Sequence, residues 1–316
     1  MTRLVVTMFS AGVMLSVSMT CAQNYPNKPI RIATGGAGGG SDFVSRQIAQ
    51  GISGPLGQQV IVDNRGSLIS VETAAKAAPD GYTLLVAGNP LWLLPLLQNV
   101  SFDPVRDFSP ISLVSRAPSI VVVHPSVAVN SVRELITLAK ARPGKLNYAS
   151  SGTGGSPHLS AELFKSMAGV NIVQIPYKSP GTAINDLIGG HVDLMFAASG
   201  AIEPHIKSGR LRALAVTSAE PSPLLPGLPT VSATGLPGYE SSTIQGVLAP
   251  ARTPIAIINL LNREIVRTLN RPDVKERFVG AGIETVGSSP ERFAAAMKSE
   301  MTRMGKVIKE AGIRPE

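Results

Sequence analysis

Two glycine-rich turns in this 316-residue chain carry the residue types best suited to holding a ligand. The first is Gly35-Gly36-Ala37-Gly38-Gly39-Gly40-Ser41-Asp42, after the apolar run Ile30–Thr34. The second is Ser151-Gly152-Thr153-Gly154-Gly155-Ser156-Pro157-His158, after Leu146–Ser150. Glycine lets backbone approach a ligand closely, and a helix start offers unpaired N–H groups at the positive end of its dipole. With the hydroxyls of Ser150, Ser151, Thr153 and Ser156, the two turns read as a set of oriented neutral donors for an anion. A third loop, Ile175-Pro176-Tyr177-Lys178-Ser179-Pro180-Gly181, again precedes a helical pattern; Lys178 offers a charge either to an anion or to a surface ion pair.

Other chemistries fit less well. Gly36-Ala37-Gly38 after a strand, with Asp63 ending the next, imitates a dinucleotide fingerprint, but Ser41 stands where the third glycine belongs. No Gly-x-Ser-x-Gly elbow occurs, and Ser156 before Pro157 reads as a helix cap, not a nucleophile. The four histidines, at 124, 158, 191 and 205, have no metal-ligand spacing, so neither a metal nor a cofactor is expected. His158, on the first turn of its helix, suits a hydrogen-bonding role. The net charge of +8 comes without a Lys/Arg run and with only 4% aromatic residues, which argues against nucleic acid.

The elements that must position these turns alternate in type. Val60–Val62, Thr83–Ala87, Ile120–Val123, Val192–Ala198 and Leu211–Thr217 read as further strands. Val44, Ile48 and Ile52 line one helix face, and an Ala-rich helix is expected around Glu72–Ala78. Ser131-Val132-Arg133-Glu134 is a capping box. Helices also begin at Thr253-Pro254 and Ser289-Pro290, the latter with Met297, Met301 and Met304 on a core-facing side. Pro221 to Pro237 is a loop. Alternating strands and helices imply mainly parallel sheets with ligands at the strands' carboxyl ends, where both glycine turns lie.

The N-terminus reads as a secretory signal peptide: Arg3, an apolar stretch from Leu4 to Met19, then Thr20-Cys21-Ala22 with cleavage before Gln23. Cleavage there removes the chain's one cysteine; lipidation of Cys21 is the alternative.

The order of segments resembles the tripartite tricarboxylate transporter substrate-binding proteins, the Bug receptors. Carrying the resemblance are Tyr25-Pro26-Asn27-Lys28-Pro29, Val62-Asp63-Asn64-Arg65, Pro79-Asp80-Gly81-Tyr82, Phe102-Asp103-Pro104, Gly190-His191-Val192-Asp193-Leu194 and Leu228-Pro229-Thr230-Val231. The resemblance implies a periplasmic α/β receptor of two domains, type II-like, with a hinge and an interdomain cleft. The expected boundaries are a signal peptide at 1–22, one domain from 23–124 with 244–316, and the other from 125–243. It implies a small organic carboxylate as ligand, delivery by a monomer to membrane transporter subunits, and no chemistry. An exported hydrolase using the same cleft, or a sensor presenting ligand to a membrane partner, are the alternatives. The ligand-binding positions it implies are Thr34, Gly38, Gly39, Ser41, Asp42 and Asn89 on one side. On the other are Ser150, Ser151, Gly152, Thr153, His158, Tyr177, Lys178, Ser179, Gly181, Asp193 and Ala197. Two departures stand out: Thr34-Gly35-Gly36-Ala37 lacks the family's aromatic and proline, and Ile244-Gln245 replaces a Trp before Gly246.

Overall fold

The computed structural model describes residues 25–151, 156–177 and 179–313. Strands β1 (Ile30–Thr34), β2 (Val60–Asn64) and β3 (Thr83–Gly88) run parallel in the order β2-β1-β3. Helices α1 (Gly40–Leu56) and α2 (Ser67–Ala75) cross between them, and α3 (Pro90–Leu97) follows β3. The expected four-residue spacing holds: Val44, Ile48 and Ile52 of α1 are fully buried and pack with Ile30, Ile32 and Leu84.

Strand β4 (Phe108–Val123) is twelve residues longer at its start than the apolar run at Ile120 suggested. It changes neighbours part-way: Phe108 to Pro118 pair with a later strand, and Ser119 to Val123 pair elsewhere. Next come α4 (Val132–Ala141), β5 (Asn147–Ser151), α5 (Ser156–Ala168), β6 (Val173–Tyr177), α6 (Pro180–Ile188), β7 (Leu194–Ala198), α7 (Ser199–Lys207), β8 (Arg212–Val216) and α8 (Val231–Thr234). Strands β5, β6 and β7 are mutually parallel, and the second part of β4 lies antiparallel between β7 and β8. The chain then returns through β9 (Ser242–Pro250), which inserts antiparallel between β3 and the first part of β4. It closes with α9 (Ile255–Leu269), α10 (Pro272–Gly280), β10 (Glu284–Thr285) and α11 (Pro290–Glu310).

One apolar core runs under both sets of strands, from Trp92 and Leu85 through Val121 to Tyr148, Phe164 and Phe196. Phe293, Met297 and Met304 of α11 belong to it, so the methionine face is core. The capping box forms as expected: Ser131 Oγ accepts from Glu134 N at 3.2 Å, and Glu134 Oε2 accepts from Asn130 N at 2.8 Å. Ser289 caps α11 with Pro290 at its first position. At the other expected start the helix begins one residue later, because Thr253 Oγ1 donates to Pro250 O instead of capping. Outside the sequence reading lay β6, β9, β10, α7, α10, and α3 with its two prolines, and α8 forms within the stretch from Pro221 to Pro237 read as a loop.

Candidate functional site

The first glycine turn is held from inside by one carboxylate. Asp42 Oδ2 accepts from Gly38 N at 2.9 Å, where Gly38 takes the left-handed φ of 79°. Asp42 Oδ1 accepts from Asn64 Nδ2 at 2.9 Å and pairs with Arg46 Nε at 2.9 Å. Asn64 Nδ2 also donates to Gly35 O at 2.9 Å. Asp42 is 6% exposed, and the Gly38 N–H, then the Arg46 guanidinium, hold its pKa down at about 2. The Asp42 carboxylate, expected as a ligand contact, is engaged here in shaping the loop. Thr34, also expected at the ligand, is fully buried with Oγ1 3.4 Å from Val86 O.

What the loop presents outward is backbone. Gly38, Gly39 and Gly40 are exposed, and Ser41 is half-buried. The N-terminal ends of α1, α2 and α3 follow the carboxyl ends of β1, β2 and β3, and none of the three has a side-chain cap. They meet around a cavity of about 240 Å³, with Ser41, Ser67 and Pro90 in its lining. Uncapped helix starts at the carboxyl ends of parallel strands form an anion-binding arrangement. Gln245 of β9 completes the polar end, with its buried Oε1 lacking any hydrogen-bond partner. A Cβ at Gly40 would come within 3.1 Å of Gln245 Nε2, so glycine there lets the amide lie over the start of α1. Ser67, Thr243 and Gln245 were missing from the sequence-derived site; the Ile244-Gln245 departure was the available signal.

Asn89, expected at the ligand, is buried at the start of α3. Its Oδ1 accepts from Ile244 N at 2.8 Å, while Nδ2 donates to Ser242 O at 3.2 Å and to Glu300 Oε1. With its amide fully engaged, Asn89 locks α3 to β9 and α11. Trp92 Nε1 donates to Glu300 Oε2 at 2.7 Å, and burial raises the Glu300 pKa against these donors. A second cavity of about 160 Å³ lies beyond, sharing Pro90, Leu94 and Thr243 with the first.

In the other half, β5, β6 and β7 end at Ser151, Tyr177 and Ala198, each leading into a helix. Gly152, Thr153 and Lys178 lie outside the described residues. Ser150 is buried and its Oγ accepts from Gln174 Nε2 at 2.8 Å. His158 is buried, with Nε2 3.9 Å from Glu162 Oε1, and burial lowers its pKa against the pull of Glu162. Glu162 Oε1 also accepts from Tyr148 OH at 2.7 Å and Lys165 Nζ at 2.6 Å. Tyr177 turns its hydroxyl to Asp186 Oδ2 at 2.7 Å, and burial pushes its pKa up to about 12. Ser179 caps α6 by accepting from Thr182 N at 3.3 Å, and Gly181 is exposed in that helix's first turn.

Asp193 and Ala197 were also expected at the ligand, and neither of them is the residue at the carboxyl end of β7. Asp193 precedes β7, at the strand's opposite end, where Oδ2 accepts from Asn147 N at 2.8 Å and its N–H donates to Asn147 Oδ1 at 3.0 Å. Ala197 is fully buried against α6 and α7, whereas the exposed Ala198 stands at the carboxyl end.

The model of the tripartite tricarboxylate transporter family receptor matches residues 44–313. The chain belongs to this family. The receptor is 37% identical over 312 residues to the protein BugT of Bordetella pertussis, covering 96% of this chain and 95% of that one. A solved R. palustris structure with adipate is 34% identical, with a TM-score of 0.73 over 92% of this chain and 100% of the other. The periplasmic binding protein BugD is 32% identical, with a TM-score of 0.70 and coverage of 92% and 100%. The receptor is thus a solute-binding protein with the two-domain α/β fold of these relatives, and not an enzyme. Among the described residues no helix is long and apolar enough to cross a membrane.

Proposed function

We propose that this receptor captures a small organic carboxylate between two domains, closes on it by hinge bending, and delivers it as a monomer to membrane transporter subunits. The observation that carries this reading is the convergence of three uncapped helix starts on one cavity. Gly38, Gly39 and Ser41 form one jaw, and the segment of Ser151, Gly152 and Thr153 forms the other. The R. palustris relative was solved with adipate, which supports the ligand class. The signal peptide at 1–22 directs the chain to the periplasm, the location named for BugD.

The hinge falls where strands change sheets. Strand β4 switches neighbours between Pro118 and Ser119, and Ser242 opposite Pro118 begins β9. Two adjacent extended crossings can absorb a rotation with small torsional changes. The proposed domains, 23–124 with 244–316 and 125–243, then meet near this crossing, with Ser119–Val123 going by its pairing with β7 and β8 to the second.

A thermal-shift and calorimetry screen of carboxylates tests the reading. A ligand at about 100 times its Kd stabilises a receptor by about 2.7 kcal/mol. Ser151→Trp is expected to abolish binding with an unchanged circular dichroism spectrum. Absence of stabilisation by any mono-, di- or tricarboxylate defeats the proposal.

A further inference from the structure

We infer that Gln245, on strand β9, is a ligand contact: its Nε2 donates to the ligand carboxylate, and with Thr243 it makes β9 the floor on which both jaws close. The inference rests on the reading of the cavity as the carboxylate seat. Thr243 and Gln245 stand two residues apart on one face of β9, and both line the first cavity. Each reaches toward a different jaw. Thr243 Oγ1 donates to Ser156 Oγ at 2.9 Å, at the first residue of α5, just after the second glycine turn. The Gln245 amide lies over Gly40, the first residue of α1, where a Cβ would stand 3.1 Å from Nε2. The opposite face of the strand is taken up by packing: Ile244 belongs to the core, and Gly246 lies so close to the Phe293 ring that no Cβ fits.

Thr243 has a partner; the side chain of Gln245 has none. Among the described residues nothing takes the Nε2 hydrogens, and Oε1 is buried without a donor. A polar group left in that state weakens the fold, and a ligand that supplies its partner recovers the loss on binding. Nε2 carries two hydrogens and accepts nothing, so the group that completes it is an acceptor. A carboxylate oxygen at the uncapped start of α1 is such an acceptor, held by the helix N–H groups on one side and by the amide on the other. The Trp that the family resemblance implies near this position would offer a single N–H on a rigid ring. Glutamine offers two on a flexible side chain, which can follow the jaw as it closes.

Gln245→Leu and Gln245→Glu test this against the parent receptor, by calorimetry with acetate, hexanoate, benzoate, succinate, adipate and citrate and by urea unfolding without ligand. Leu keeps the bulk and removes both polar atoms; Glu keeps the size and an acceptor but loses the donors. Gln245→Leu is expected to weaken the tightest of these acids at least about tenfold, while the ligand-free urea midpoint rises because an unpaired polar group is gone. Gln245→Glu is expected to weaken it at least about a hundredfold, since a second carboxylate now faces the first. Where the Leu variant fails to fold, the Glu variant decides. Affinity unchanged by Gln245→Leu, or retained in Gln245→Glu, overturns the inference and leaves the carboxylate reading standing. Weaker binding with a lowered urea midpoint in Gln245→Leu makes the residue a structural support, and overturns it as well. Failure of the parent to bind any of these acids overturns both.

Discussion

Replacing Asp42 by Asn tests whether the first glycine turn is held by a charge. The carboxylate is released near pH 3.8 in an unfolded chain, and near 2 in the folded protein. At about 1.36 kcal/mol per unit, the gap corresponds to roughly 2.5 kcal/mol at neutral pH. The Arg46 partner is 56% exposed, so solvent screening brings the expected figure to about 1–2 kcal/mol. Because the folded pKa is depressed, this stability is fully present above pH 4 and is lost as pH falls through 2. About half should survive at pH 3. Urea unfolding of both proteins at pH 7, 5 and 3 measures it. Asn keeps one acceptor for Gly38 but loses the ion pair, so the variant should be weaker by about 1–2 kcal/mol at pH 7 and pH 5. The difference should shrink to about half at pH 3. A difference that stays constant from pH 7 to pH 3, or none at any pH, would refute the assignment of Asp42 as an ionised clamp.

Three further outcomes separate structural residues from ligand contacts. Asn89→Ala strands the Ile244 N–H and a Glu300 oxygen in the interior, and should cost about 3 kcal/mol in denaturant unfolding. Asp193→Ala should lower stability by about 1 kcal/mol and leave carboxylate affinity unchanged by calorimetry, since the side chain stands at the far end of β7. Gly246→Ala places a Cβ 2.1 Å from Phe293 Cζ, in a ring with no exposure, and should destabilise by about 2–3 kcal/mol; Phe293→Leu should recover part of the loss in a double-mutant cycle.

The legible parts of the fold were those with strong periodicity or a local hydrogen-bond signature. Val44, Ile48 and Ile52 announce α1, and Ser131 with Glu134 announces α4. Strand β9 escaped because Ser-Thr-Ile-Gln-Gly-Val-Leu-Ala-Pro contains a glycine that only the ring of Phe293 explains, across a distance in sequence that no local pattern reports. Pro90 and Pro95 hid α3, although the first sits where a helix start accepts it. Of the site, the glycine turn was visible as a turn. The inward aim of Asp42 depends partly on Asn64, 22 residues on, and the occupied amide of Asn89 on Ile244 and Glu300, 155 and 211 residues away, so neither was legible. Asp193 shows the limit of motif order: adjacency to β7 does not say which end of the strand a residue occupies.

The placement of β9 has a consequence for how the chain comes into being. Between β3 and the first part of β4 lies a strand that reaches the ribosome's exit only after more than 240 residues have been made. Until then the sheet β2-β1-β3 ends on an unpaired edge, and Trp92 waits for Phe293 and Glu300, still later in the chain. The cluster from Ile120 to Leu211 is complete without these late residues, whereas the cores that hold Trp92 and Ile32 need residues of β9, α9 and α11. The first half of the fold is therefore completed from the far end of the chain, and its closure waits for the last helix.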